Sequence, residues 1–261
     1  WGEMGSSEVG HINIGAGLVI YQNLEKINQS IEDQTFLNLP AWKKATGHAN
    51  KNKSAVHLVG LVSNGGVHSH INHLLAILKS LKKLNFKRNV FIHMFTDGQD
   101  SPPASAMKFL ETLEKESGEA GIGKIATICG RYYAMDKNEN WDRTRKTYNC
   151  LVNGKGIQSS AAEEIIRKSY KGGVKEEFVK PSAVTNSEKK SVGTIKEKDA
   201  VIFFNFRADR MRQLFSAFTN PNFKKFPVKK LSGALFIPLT RYGADFPIDP
   251  AFQIQAILNP L

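Results

Sequence analysis

Ala55-Val-His-Leu-Val-Gly-Leu-Val62 is the stretch on which the fold turns. It is short, mostly apolar and rich in β-branched residues, which predicts a strand buried on both faces. A polar loop, Ser63-Asn-Gly-Gly-Val-His-Ser-His70, follows it, and then Leu74, Leu75, Ile77, Leu78 and Leu81 form a stripe at helical spacing. The same strand, loop and helix pattern recurs along the rest of the chain. Residues 89–96 read as a second strand. Pro102 and Pro103 then precede a helix over 104–115, with Met107, Leu110 and Leu113 on one face. Residues 124–128 read as a third strand, and 141–152 and 161–170 as helices. Residues 200–206 form a fourth strand, followed by a helix over 209–218 with Asp209 as its cap, and 233–239 a fifth strand. This alternation predicts an α/β fold whose mainly parallel sheet is flanked by helices.

The whole sequence of 261 residues is long enough for one large domain or two smaller ones, and its 41% apolar content excludes disorder. No stretch approaches the ~20 apolar residues of a membrane span. Cys129 and Cys150 are too few for a disulfide framework and lack zinc spacing, so a reducing cytoplasm is expected. The chain opens on Trp1 with no leader-like segment, as a chain beginning inside a longer protein would. The net charge of +12 invites a nucleic-acid reading, but no recognisable module and no interleaving of basic with aromatic residues support one. Much of the charge is lysine, and the lysine-rich segment 174–198 is expected to be a solvated excursion or hairpin outside the core.

Ligands of open α/β sheets sit beyond the carboxyl ends of the strands. If the four main strands run parallel, the loops after them bring His68, Asp100, Arg131, Arg207 and Arg210 into one crevice. Only nine arginines are present, and three fall at these positions. Guanidinium groups bind carboxylate and phosphate in a bidentate manner, and a nearby carboxylate can take a hydroxyl proton, so the crevice suits an anionic substrate. Two other readings compete. His68, Ser69, His70 and His73 resemble the His-x-His of a metal-dependent hydrolase, although the later loops supply arginines where such an enzyme needs more His and Asp; His70 and His73 also suit a helix start and packing. The segment Gly5-Ser-Ser-Glu-Val-Gly-His11 places two hydroxyls between glycines, as in a phosphate loop, an exposed nucleophile or a plain turn.

Six segments, in order, resemble the cofactor-independent (2,3-bisphosphoglycerate-independent) phosphoglycerate mutase family. They are Met4-Gly-Ser-Ser-Glu-Val-Gly-His-Ile-Asn-Ile-Gly-Ala-Gly17, Gly65-Gly-Val-His-Ser-His70, Gly130-Arg-Tyr-Tyr-Ala-Met-Asp136, Trp141-Asp-Arg143, Glu177-Phe-Val-Lys-Pro181 and Phe203-Phe-Asn-Phe-Arg-Ala-Asp-Arg210. The resemblance implies an α/β phosphotransferase domain inserted into an alkaline-phosphatase-like domain. Residues 1–21 would be a piece of the phosphatase-like domain with the nucleophile serine and first linker, 22–248 the phosphotransferase domain, and 249–261 the second linker. It further implies a cytoplasmic, monomeric isomerase of glycolysis and gluconeogenesis that interconverts 3-phosphoglycerate and 2-phosphoglycerate through a phosphoserine. The enzyme would use two divalent metals, with manganese the usual one, and no nucleic acid or membrane. By resemblance, Ser7 takes the phosphoryl group and ligates a metal, and Asp100 accepts a proton. His68, Gln99, Asp100, Arg131, Lys137, Arg207, Ala208, Asp209 and Arg210 contact substrate, Arg207 gripping its carboxylate.

The sequence departs from the family pattern at Gln99 and Lys137, where arginines are usual, at Asn64 for aspartate and at Ala208 for proline. Gln99 loses the charge, and Lys137 keeps it but loses the planar fork. Of the metal ligands the resemblance implies, only Ser7 lies within the 261 residues. A non-catalytic anion-binding or regulatory module derived from the enzyme is therefore the alternative expectation.

Overall fold

A computed structural model describes residues 23–253. Ser7 and the Gly/Ser segment around it lie outside the described residues. Among the described residues seven strands form one sheet: β1 (Val56–Leu61), β2 (Val90–Thr96), β3 (Lys124–Gly130), β4 (Ile157–Ser159), β5 (Ser182–Val184), β6 (Ala200–Phe203) and β7 (Leu235–Pro238). Their spatial order is β4-β5-β3-β2-β1-β6-β7, and every neighbouring pair is parallel except β3 with β5. The mainly parallel α/β sheet expected from the sequence is thus present.

Every residue of β1 is buried, because helices cover both faces. Alternate side chains feed two cores. Leu58, Ile92, Ile128 and Ile202 enter one core. It is shared with α1 (Asn23–Glu32), α2 (Pro40–Asn52), α3 (Ile71–Lys83), α4 (Ala106–Ala120) and α7 (Ala162–Lys171). Val59, Leu61, Phe95, Val201 and Phe203 enter the other, packed on α6 (Trp141–Asn153), α8 (Arg212–Thr219) and the short α5 (Arg131–Ala134).

Three expectations need correction. The helix expected from residue 209 begins at Arg212, with Met211 at its cap position and no side-chain cap. Backbone hydrogen bonds from Phe206 and Arg207 to the His68 carbonyl hold residues 206–211 as a loop, so Asp209 is left free for other contacts. The helix expected over 104–115 runs over Ala106–Ala120, since Ala104 has φ 61°, outside helical space. The segment 174–198 is not wholly outside the core. It supplies β5 and buries Val179, Ala183 and Ile195, and the exposed part of the expected hairpin is its tip, residues 186–190, between the bridged Thr185 and Ser191.

That segment also carries a buried glutamate. Glu176 Oε2 accepts the Ala106 backbone N–H at 2.8 Å and the Tyr170 hydroxyl at 2.6 Å, so a carboxylate sits on the first turn of α4. A negative charge there is favoured by the helix dipole.

A second buried network crosses the sheet. Asp199, just before β6, lies 3.0 Å from His57 Nε2; His57 Nδ1 lies 2.9 Å from His93 Nε2; and His93 Nδ1 lies 2.9 Å from Thr127 Oγ1. One assignment satisfies all four groups: Thr127 donates to His93, His93 to His57, and His57 to an ionised Asp199. Burial, together with the neighbouring His57, holds His93 well below its ordinary pKa.

Candidate functional site

β1 is the strand at which the order reverses, with β2 and β3 on one side and β6 and β7 on the other. A crevice forms at the carboxyl end of such a strand. The loops after β1 and β6 meet there, joined through the His68 carbonyl, and those after β2 and β3 close the other side.

Arg131 is the buried centre of the crevice. Its Nη1 donates to Asp97 Oδ1 at 2.6 Å and to Asp100 Oδ2 at 2.7 Å. Asp97 is 1% exposed and also accepts from Ser63 Oγ and from the backbone N–H groups of Gln99 and Asp100. Burial alone would raise its pKa, but these donors and Arg131 hold it below the ordinary carboxylate value. The sequence reading passes over Asp97. A signal for it exists, because Asp before Gly at a strand end often opens a turn that its own carboxylate closes.

Two glycines let this loop close. Gly98 has φ 81°, which side-chain-bearing residues rarely adopt, and a Cβ at Gly65 would lie 2.0 Å from the Asp100 carbonyl oxygen. Gly65→Ala is expected to cost roughly 1–3 kcal/mol through this clash. Urea denaturation measures it, and a change below a few tenths of a kcal/mol would show that the loop yields freely.

His68 faces Asp100 Oδ2 at 3.9 Å and Asp209 Oδ1 at 3.6 Å. Burial, aided by the Arg131 charge, pushes its pKa down to about 4, so it is neutral near pH 7. Arg207 Nε lies 3.2 Å from Asp209 Oδ1, and Lys137 Nζ lies 3.7 Å from Asp209 Oδ2. Against the upward push of burial, these cations hold Asp209 below the ordinary carboxylate pKa. Arg207 and Lys137 keep about half of their side chains in solvent, at 53% and 44% exposure. Their ion pairs with Asp209 therefore contribute little to stability and leave the cations open to a ligand.

The remaining positions named from the sequence are more peripheral. Gln99 Nε2 donates to Glu177 Oε2 at 2.5 Å, tying the β2 loop to the 177–181 motif. Arg210 Nη1 reaches only the Met135 carbonyl, at 3.5 Å, and its buried Nε has no hydrogen-bond partner among the described residues. Ala208 accepts the Met211 and Arg212 N–H groups through its carbonyl and so shapes the turn. The 136–143 motifs form their own lock. Asp136 accepts from the Asn138 and Asn140 N–H groups, Arg143 and Gln213, and the Arg143 guanidinium lies 3.8 Å over the Tyr132 ring. Lys137 is thereby anchored next to a rigid turn.

The histidine cluster after β1 disperses. His70 Nδ1 accepts from the Asn72 N–H and caps α3, while the buried His73 contacts Asn28 Oδ1 at 2.9 Å. Helix start and packing are the roles expected for these two. Among the described residues no group of three or more His, Cys, Asp or Glu side chains could hold a metal, so the metals that the resemblance implies find no ligand set among them.

The description "BPG-independent PGAM N-terminus" matches residues 27–244, which include all of the crevice just described. The chain belongs to the 2,3-bisphosphoglycerate-independent phosphoglycerate mutase family. It is 47% identical over 263 residues to the Moorella thermoacetica protein of that name, covering 100% of this chain and 50% of the relative. It is 46% identical over 261 residues to the Clostridium acetobutylicum one, covering 100% of this chain and 51% of the relative. The fold matches a crystal structure of Leishmania mexicana phosphoglycerate mutase at low cobalt concentration, with TM-score 0.87 and 29% identity, over 96% of this chain and 47% of that one. The chain thus spans about half the length of the mutases it matches. Among its described residues no helix is long and apolar enough to cross a membrane.

Proposed function

We propose that this chain is the substrate-holding part of a phosphoglycerate mutase that interconverts 3-phosphoglycerate and 2-phosphoglycerate. The observation that carries this reading is the division of labour in the crevice. Arg131 is consumed by Asp97 and Asp100, while Arg207 and Lys137 stay half-exposed over the same floor. In this reading Arg207, with Lys137 beside it, receives the anionic groups of the glycerate, Arg207 taking the carboxylate. Asp100, fixed by Arg131, takes the proton of the hydroxyl that gives or receives the phosphoryl group, and neutral His68 offers a hydrogen bond without adding charge. Ala208, Asp209 and Arg210 shape and charge-balance the loop that carries Arg207. Ser7 would carry the phosphoryl group between the two hydroxyls and ligate one of two divalent metals. Those metals would activate the serine. We further propose residues 22–248 as the extent of the phosphotransferase domain.

Calorimetry tests this directly. The 261-residue chain should bind 3-phosphoglycerate and fail to interconvert it alone, and Arg207→Ala should weaken binding about tenfold or more, the loss of one charge-assisted contact. No binding, or binding unchanged in Arg207→Ala, overturns the assignment. A second reading, a non-catalytic anion-binding module, draws on Gln99, whose amide is engaged by Glu177 where the family usually has an arginine. Mutase activity of the full-length protein would eliminate it.

A further inference from the structure

The opposite end of the sheet holds a cavity of about 580 Å³. It lies at the amino ends of β1, β2 and β6, so it is separated from the crevice by the length of the strands. Lys53, Lys87, Arg88 and Lys196 line it, and all four are exposed. None of the four has an ion-pair partner among the described residues. Among the described residues, the only acidic side chain in the lining is Asp199. Its carboxylate is already committed to the backbone N–H groups of Ala55 and Lys196 and to His57, and it is 4% exposed. The cavity therefore presents four exposed cations around a floor whose one negative charge is internally satisfied.

The usual reason for lysines at this end of an α/β fold is compensation of helix carboxyl termini. That need is already met at α2. Two of its last four carbonyls, those of Ala49 and Asn50, accept from the Lys53 and Ser54 N–H groups through a left-handed cap. The wall is also built rather than loose. Gly193 sits so closely on the Phe91 ring that a Cβ there would lie 2.4 Å from it, and Phe91 is 9% exposed. The size falls within the ~300–1,000 Å³ of small-molecule sites.

We propose that this cavity binds a small molecule bearing several phosphate groups, at a site separate from the crevice. Three lysines act as point charges on phosphate oxygens, and Arg88 adds a fork that can hold two of them. The concavity and its closed floor favour a compact polyanion over an extended nucleic-acid strand.

Titration of inorganic tripolyphosphate into the 261-residue chain at low ionic strength tests the proposal. Binding should saturate with one site outside the crevice. Lys87→Ala/Arg88→Ala should weaken it tenfold or more, Lys53→Ala/Lys196→Ala likewise, and Arg207→Ala should leave it unchanged. Amide exchange should slow in residues 53–56, 87–91 and 192–199. The proposal fails if no saturable binding is seen, or if Arg207→Ala removes the binding while the lysine variants do not. Tighter binding of citrate than of tripolyphosphate, or displacement of tripolyphosphate by an oligonucleotide at equal phosphate concentration, would also overturn it.

Discussion

Arg131→Met is expected to lower folding stability by about 3–5 kcal/mol, the cost of removing one partner from a buried ion pair. Methionine roughly preserves the volume, so the loss comes mainly from charge. Arg131 is 4% exposed and its Nη1 alone bridges Asp97 and Asp100. Without it, Asp97 keeps Ser63 and two backbone N–H groups but no counter-charge, and the two carboxylates repel across the gap. Urea denaturation at pH 7 measures the loss. Arg131→Met/Asp97→Asn should recover a substantial part of it, because the neutral amide removes the unpaired charge. If the double variant is no more stable than the single one, the effect is packing and the electrostatic account is wrong. The same substitution should also disable the full-length protein, since Asp100 loses the group that fixes its position.

Acid should unfold this domain earlier than carboxylate titration alone would. Burial lowers His68 to about 4 and His73 to about 3, and holds His93 well below its ordinary value. All three are therefore neutral in the folded state at pH 6, whereas the unfolded chain binds protons at them below about 6.5. The unfolded state then binds more protons, so stability falls as pH falls, by up to about 1.4 kcal/mol per pH unit for each histidine. The His68 contribution levels off near pH 4 and that of His73 near pH 3. With three such groups the slope approaches ~4 kcal/mol per unit between pH 6 and 4.5, set against a total stability of about 5–15 kcal/mol. Asp97, Asp136 and Asp199 are all held below 3.8 and add a further loss only as pH falls from there through their folded values. Denaturant midpoints measured from pH 7.5 to 4.5 test this. A flat profile down to pH 5 would mean that the buried imidazoles take up protons in place.

The α/β class can be read from residues 55–62, because a run buried on both faces has no need of alternation and so stands out in the sequence. The crevice is readable for the same reason: parallel strands place their following loops at one end, so His68, Asp100, Arg131 and Arg207 converge wherever their strands pair. The short strands β4 and β5 are not readable. Ile157–Ser159 and Ser182–Val184 are three residues each, too short to show a period; the Gly130 N–H, donating to the Val179 carbonyl, brings β5 beside β3, and the Ile157 N–H, donating to the Pro181 carbonyl, seats β4 on β5. The cap expected at Asp209 fails for a related reason. A capping aspartate and an ion-pairing one look alike until the neighbours are known, and here Arg207 and Lys137 pair with its oxygens.

Local pattern carries what depends on neighbours along the chain: strand or helix, turn, and which residues stand at strand ends. Strand order and register carry the rest. The Asp199–His57–His93–Thr127 chain exists because β1 pairs with β2 in a register that sets Val59 opposite His93, bringing the two imidazoles within hydrogen-bond distance. Glu176 reaches α4 because a segment that reads as a solvated lysine excursion folds back across β3. Apolar periodicity selects the faces that are buried, but it is indifferent to which polar groups meet inside them. Those meetings are set by pairing across the sheet between residues tens of positions apart, as with Arg131, Asp97 and Asp100 in the crevice.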